Sequence, residues 1–109
     1  MRKPKITREE ARERKLQLFE LIRDGRITIG QATREMRKIV GMNQKEYAEK
    51  VVGIFPRVLL DIENDRGNPT LETLRKIAEP FGLKVGFIRP AVQIITAEIG
   101  DSTDARQSG

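Results

Sequence analysis

The side-chain inventory narrows the chemistry before any pattern is sought. The 109-residue chain has no Cys and no His, which removes thiol catalysis, disulfides, imidazole acid–base work and the usual zinc sites together. Carboxylates are plentiful but spread over charged helical stretches, with no nucleophile–base set and no phosphate-cradling glycine loop. No enzyme activity, metal or cofactor is therefore expected. What remains is donor and acceptor chemistry. Arg57 and Asp61 stand four apart in the stretch FPRVLLD, residues 55–61. At that spacing one helical turn separates them on a single face: the guanidinium can donate two parallel hydrogen bonds, and the carboxylate can accept one or steady the guanidinium. Phe55 and Leu60 beside them offer nothing to a hydrogen-bonding partner. Upstream, Asn43 and Gln44 open another helical stretch, where side-chain amides and free backbone N–H groups suit an anion.

A chain of this length has room for one domain with a modest core, so a partner copy is expected to complete the fold. An apolar content of 38% with 5% aromatics fits a small helical protein, not a disordered one. No apolar run approaches the ~20 residues that span a bilayer, and Met1 leads into charges, so a soluble cytoplasmic protein is expected. The net charge of +5 favours polyanions. Residues 1–26 hold nine Lys/Arg against five Asp/Glu, whereas 51–79 hold four against five. The positive field thus lies ahead of the FPRVLLD stretch, not on it.

Cap and stop signals punctuate the chain. Thr7 to Glu10 is a capping box opening a helix to about Asp24, which Gly25 ends. Ala11, Leu18, Phe19, Leu21 and Ile22 are among its few apolar residues, which fall mostly in its second half. It reads either as a solvated helix whose last turns dock, or as an arm that meets a partner or a phosphate. Thr28 to Gln31 repeats the box, with Ile29, Ala32, Met36, Ile39 and Val40 toward one side up to Gly41. Asn43 to Glu46 is a third box, opening a helix with Tyr47, Ala48 and Val51 inward. Gly53 supplies a positive φ, and Pro56 suits the first position of the next helix, where Leu59 and Ile62 pack inward. Asp65 tolerates the left-handed region in the loop that follows. Thr70 caps a last helix to about Glu79, stopped by Pro80 and Gly82. Leu83, Val85 and Phe87 then alternate with Lys84 and Gly86, which predicts a strand ending at Ile88. A lone strand needs a partner: residues 92–99 folding back, or, preferred because Pro90 makes a poor hairpin loop, its own copy in a dimer. The polar tail from Gly100 is expected to be disordered.

Residues 34–79, with MNQKEYA, DIEND and NPTLETLRKIA in register, resemble the phage repressor and Cro superfamily of helix-turn-helix proteins, the XRE family, and within it are most similar to HipB-like regulators. The resemblance implies a mainly α, repressor-like five-helix helix-turn-helix domain (28–82) with an extra N-terminal basic helix (1–27), a C-terminal strand segment (83–99) and a tail (100–109). Val85, Phe87 and Ile88 would form the strand paired across a dimer. It implies base-facing positions at Phe55, Pro56, Arg57, Leu60 and Asp61, phosphate contacts from Asn43, Gln44, Asn64 and Arg66, and a structural ion pair between Arg37 and Glu63. The base-facing set departs from the family, which usually offers Ser, Thr, Gln, Arg or Asn there. Arg57 suits a guanine edge, Asp61 a cytosine amino group, and Phe55 and Leu60 thymine methyls; alternatively the two apolar residues form a protein interface. The expected function is a sequence-specific, dimeric DNA-binding repressor on a palindromic operator, autoregulating as the antitoxin of a HipA-like toxin. The alternatives are a free-standing phage-type repressor and a protein-interaction module that no longer reads bases.

Overall fold

The computed structural model describes residues 6–90. Four of the five α-helices among the described residues start where a side chain satisfies one of the first amides. α1, Arg8–Arg23, opens on a reciprocal box: the Glu10 amide donates to Thr7 Oγ1 at 3.0 Å, and the Thr7 amide donates to Glu10 Oε1 at 2.8 Å. α2, Ile29–Val40, opens on the same box between Thr28 and Gln31. α3, Gln44–Glu46, opens on one between Asn43 and Glu46. α4, Pro56–Glu63, has no side-chain cap and starts on proline. α5, Leu71–Ala78, is capped by Thr70 and runs into a 3-10 turn, Glu79–Phe81.

The core is built from Leu18, Ala32, Met36, Tyr47, Ala48, Val52, Leu59, Ile62, Ile77 and Phe81. α2 lies against α4 along its length, and α1 lies along α2. Leu18 is the buried residue of α1, with Phe19 and Ile22 half-buried beside it. Burying one leucine stabilises the docked helix by about 1.5–3 kcal/mol. Arg14 reaches Glu35 of α2, with Nη2 2.9 Å from Oε2. α1 is therefore a docked helix and not a free arm. In α2 the central Ala32 and Met36 are buried, but the end residues Ile29 and Val40 overhang the core and stay exposed.

The structure differs from the sequence expectation in three places. First, α3 does not continue as an α-helix: Tyr47–Val52 is wound as a π-helix, closed by the Gly53 amide donating to the Ala48 carbonyl at 2.7 Å. One wider turn stacks residues five apart, so Val52 falls in line with the buried Tyr47, and Val51 is only half-buried. Gly53, at φ +81, ends the turn in the left-handed region that residues with a Cβ avoid. Second, the described residues hold five α-helices with α1 included, one fewer than a five-helix domain plus an extension; after Phe81 the chain turns through Gly82 at φ +71. Third, no strand forms among the described residues: 83–90 is irregular, and Val85, Phe87 and Ile88 are exposed. Period-two alternation makes a strand only when a neighbour satisfies its backbone groups. Both candidate neighbours, a second copy and 92–99, lie outside the described residues, as does the tail from Gly100. Pro90 passes close to the end of α1, where a Cβ on Gly25 would come within 3.0 Å of it. No helix among the described residues is long and apolar enough to cross a membrane.

Candidate nucleic-acid interface

Glu63, the last residue of α4, is 2% exposed and charged. A carboxylate can sit there only if its oxygens are satisfied, because desolvating an unpaired charge is prohibitive. Arg37 of α2 donates to it twice, from Nε to Oε2 at 2.7 Å and from Nη2 to Oε1 at 3.0 Å. Gln44 of α3 adds a third bond, Nε2 to Oε1 at 3.0 Å. Arg34 stands 3.8 Å from Oε1 and donates to the Glu63 carbonyl at 3.0 Å. Burial alone would raise the Glu63 pKa, but the hydrogen bonds from Arg37 and Gln44 and the two guanidinium charges outweigh it and hold the group below its usual value. One carboxylate thus ties α2, α3 and α4 together. Arg37 Nη1 also donates to the Met42 carbonyl at 3.1 Å, fixing the link between α2 and α3.

A second tie was not legible in the sequence. Asp65, just past α4, adopts φ +55 and turns its carboxylate onto the start of α2. Its Oδ2 accepts from Thr28 Oγ1 at 2.8 Å, and its Oδ1 accepts from the Gly30 amide at 2.8 Å. The backbones approach so closely that a Cβ on Gly30 would lie 2.5 Å from the Ile62 carbonyl oxygen. The tolerance of Asp65 for the left-handed region was the available signal; its distant partner left none.

With its inner face held, α4 turns the other side out. Phe55 is 79% exposed and the Arg57 side chain 81%. Pro56, Leu60 and Asp61 are half-buried along the same surface. Asp61 stands between two cations, with Oδ1 3.8 Å from Arg57 Nε and 3.3 Å from Arg66 Nη2. Asn43 and Gln44 lie beside α4 at the start of α3. The Asn43 side chain caps the helix, accepting from the Glu46 amide at 2.8 Å. The Gln44 side chain, assigned to a phosphate on sequence grounds, is half-buried with its amide nitrogen on Glu63. Asn64 donates from Nδ2 to the Leu60 carbonyl at 2.9 Å, and its Oδ1 lies 3.4 Å from Arg34. The structure therefore brings Arg57, Asp61 and Arg66 into one cluster, and places Arg37, Gln44 and Glu63 in another behind it.

Two helices joined by a left-handed glycine, the second held on its inner face and bare on its outer one, form a helix-turn-helix. A family model described as Helix-turn-helix matches residues 34–88, half of the chain. The chain belongs to the XRE-type helix-turn-helix family. It is 39% identical over 62 residues to the Immunity repressor protein of Bacillus phage phi105, an alignment that spans 57% of this chain and 42% of that protein. The chain thus covers less than half the length of this curated relative. No solved structure matches. Within the helix-turn-helix, α4 takes the second-helix position, and the exposed Phe55 and Arg57 stand at its start.

Proposed function

We propose that this helix-turn-helix protein is a sequence-specific DNA-binding repressor of transcription and not an enzyme, and that α4 is its reading helix. One observation carries the reading: α4 is locked from behind by Glu63 and Asp65 yet presents Phe55 and Arg57 almost fully to solvent. A rigid helix with a spare outer edge is what a major groove admits. Arg57 reads a guanine, Phe55 and Leu60 meet thymine methyls, and Asp61 faces the same groove. Asn43, Gln44, Asn64 and Arg66 flank α4 and reach the sugar-phosphate rails. For Gln44 this uses the second hydrogen of an amide whose first is already on Glu63.

One bidentate contact supplies about 1–3 kcal/mol of discrimination, so two subunits on a palindrome are needed. The exposed Val85, Phe87 and Ile88 form the surface through which copies pair, as strands, in the cytoplasm. The likeness to an immunity repressor supports a repressor that works alone; the resemblance of residues 34–79 to HipB-like regulators supports an antitoxin with a HipA-like kinase as partner. Purification of the native complex separates these two, since only the antitoxin brings a kinase with it. The DNA reading is tested by mobility shift on a randomised duplex pool over a salt series. Enrichment of one palindrome, with log affinity falling linearly in log salt, is the expected result. A protein that retains no duplex in dilute buffer overturns it, and leaves the exposed Phe55 as a protein-docking residue.

A further inference from the structure

α4 carries one carboxylate on its outer face. Pro56, Arg57, Val58, Leu60 and Asp61 make up that face, Glu63 being turned inward, so its net charge is zero beside a polyanion. A carboxylate next to phosphates weakens every duplex alike unless it does something selective. Asp61 is also firmly placed. Its carbonyl accepts from the Arg66 amide at 2.8 Å and the Asn64 amide at 3.2 Å. Its carboxylate accepts from Arg66 Nη2 at 3.3 Å and lies 3.8 Å from Arg57 Nε. The approach is to the Nε edge of Arg57, which leaves its two terminal nitrogens free to donate in parallel to an acceptor pair.

Resting on the reading of α4 as the base-contacting helix, we infer that Asp61 is a specificity-determining residue that acts through charge: it orients Arg57 for a guanine edge and repels the phosphate backbone, so that Arg57 is not lost to phosphates on the wrong sequence. Two linked effects follow. On a matched site the guanine O6 and N7 take the free edge of Arg57, and the second carboxylate oxygen of Asp61 faces the groove, where a cytosine amino group is its complement. On an unmatched duplex the guanidinium gains nothing from the bases, and the carboxylate keeps the face from settling on phosphates. Discrimination of this kind is built from repulsion of the wrong partner as much as attraction to the right one. Arg66 meets the same carboxylate oxygen at 3.3 Å and steadies it.

The test compares the full-length chain with Asp61→Asn, which keeps the size and an acceptor oxygen but removes the charge. Both are measured on the duplex enriched by the wild type and on a mixed-sequence duplex of equal length. Asp61→Asn is expected to bind the mixed duplex about fivefold more tightly, the size of one charge beside a phosphate in water, and to lose at least that factor in its ratio of specific to mixed affinity. Thermal melting of the two proteins should coincide, since exposed ion pairs add little to stability. In an Arg57→Ala background, Asp61→Asn should no longer alter preference at the guanine pair, because the residue through which it acts is gone. An unchanged affinity ratio, or equal weakening on both duplexes, overturns the role of Asp61 while the reading helix stands. A wild-type protein that enriches no sequence overturns both.

Discussion

The two faces of α4 are made from one eight-residue segment and obey opposite rules. On the inner face the buried charge is answered: Glu63 accepts from Arg37 and Gln44, and Leu59 and Ile62 are buried on the same helix. On the outer face Phe55 and Arg57 are exposed, and among the described residues Arg57 has a single 3.8 Å ion pair, with Asp61. The inner face spends a charge on fixing an angle. Replacing such a buried pair by apolar groups is often neutral for stability, so its use here is orientation as much as cohesion. The outer face carries almost no folding duty and is free to vary with whatever it must recognise. A substitution can therefore harm the fold or the recognition, and the face it falls on decides which.

The largest expected effect breaks the inner face. Arg37→Ala leaves Glu63 buried with its main partner gone and should destabilise the fold by ~3–5 kcal/mol in urea unfolding. The same site sets an acid limit. Because the folded pKa of Glu63 lies below the ordinary 4.5, its contribution is complete above the unfolded value and is lost as pH falls through the folded one. Melting temperature should accordingly drop on acidification below about pH 4.5, and more steeply in the wild type than in Glu63→Gln.

On the outer face the effect is on recognition. Arg57→Ala should remove about 1–3 kcal/mol of discrimination at one base pair while unfolding stability stays within about 0.5 kcal/mol of the wild type. A comparable loss of stability would erase the contrast between the faces. Between the two lies Asp65→Ala, which removes two hydrogen bonds to the start of α2 and puts alanine in the left-handed region. It should destabilise by about 1–2 kcal/mol in the same urea assay.

The smallest effect sharpens the account of the inner face. The Tyr47 hydroxyl is buried without a hydrogen-bond partner among the described residues, and burial, then the Glu63 charge, push its pKa up to about 12. Tyr47→Phe should leave stability within about 0.5 kcal/mol or raise it slightly, since it discards an unsatisfied group. A clear loss would point to a partner for that hydroxyl.

What the sequence disclosed and what it concealed divide along a physical line. The caps at Thr7, Thr28, Asn43 and Thr70, the turn at Gly53 and the helix start at Pro56 are settled by residues within one turn of each other, so local spacing is enough to find them. The π winding of Tyr47–Val52 answers to packing on the core, and no local pattern announces it. Gly30 looks like an ordinary helical glycine until the Ile62 carbonyl is seen beside it. Gln44 looks like a free donor until the helices bring Glu63 within reach. The alternation at 83–88 is real, but a strand belongs to two segments and only one of them is described. At the outer face the residue types were readable and their exposure was not, because exposure follows from which face Glu63 and Asp65 hold down.

The most direct test of the central claim is a map of backbone amide shifts as the protein is titrated with the duplex enriched from a random pool. Changes concentrated on the Phe55–Asp61 stretch, with smaller ones at Asn43, Gln44, Asn64 and Arg66, are predicted. Saturable binding that moves amides of α1 or of 83–90 and leaves α4 unperturbed would contradict it.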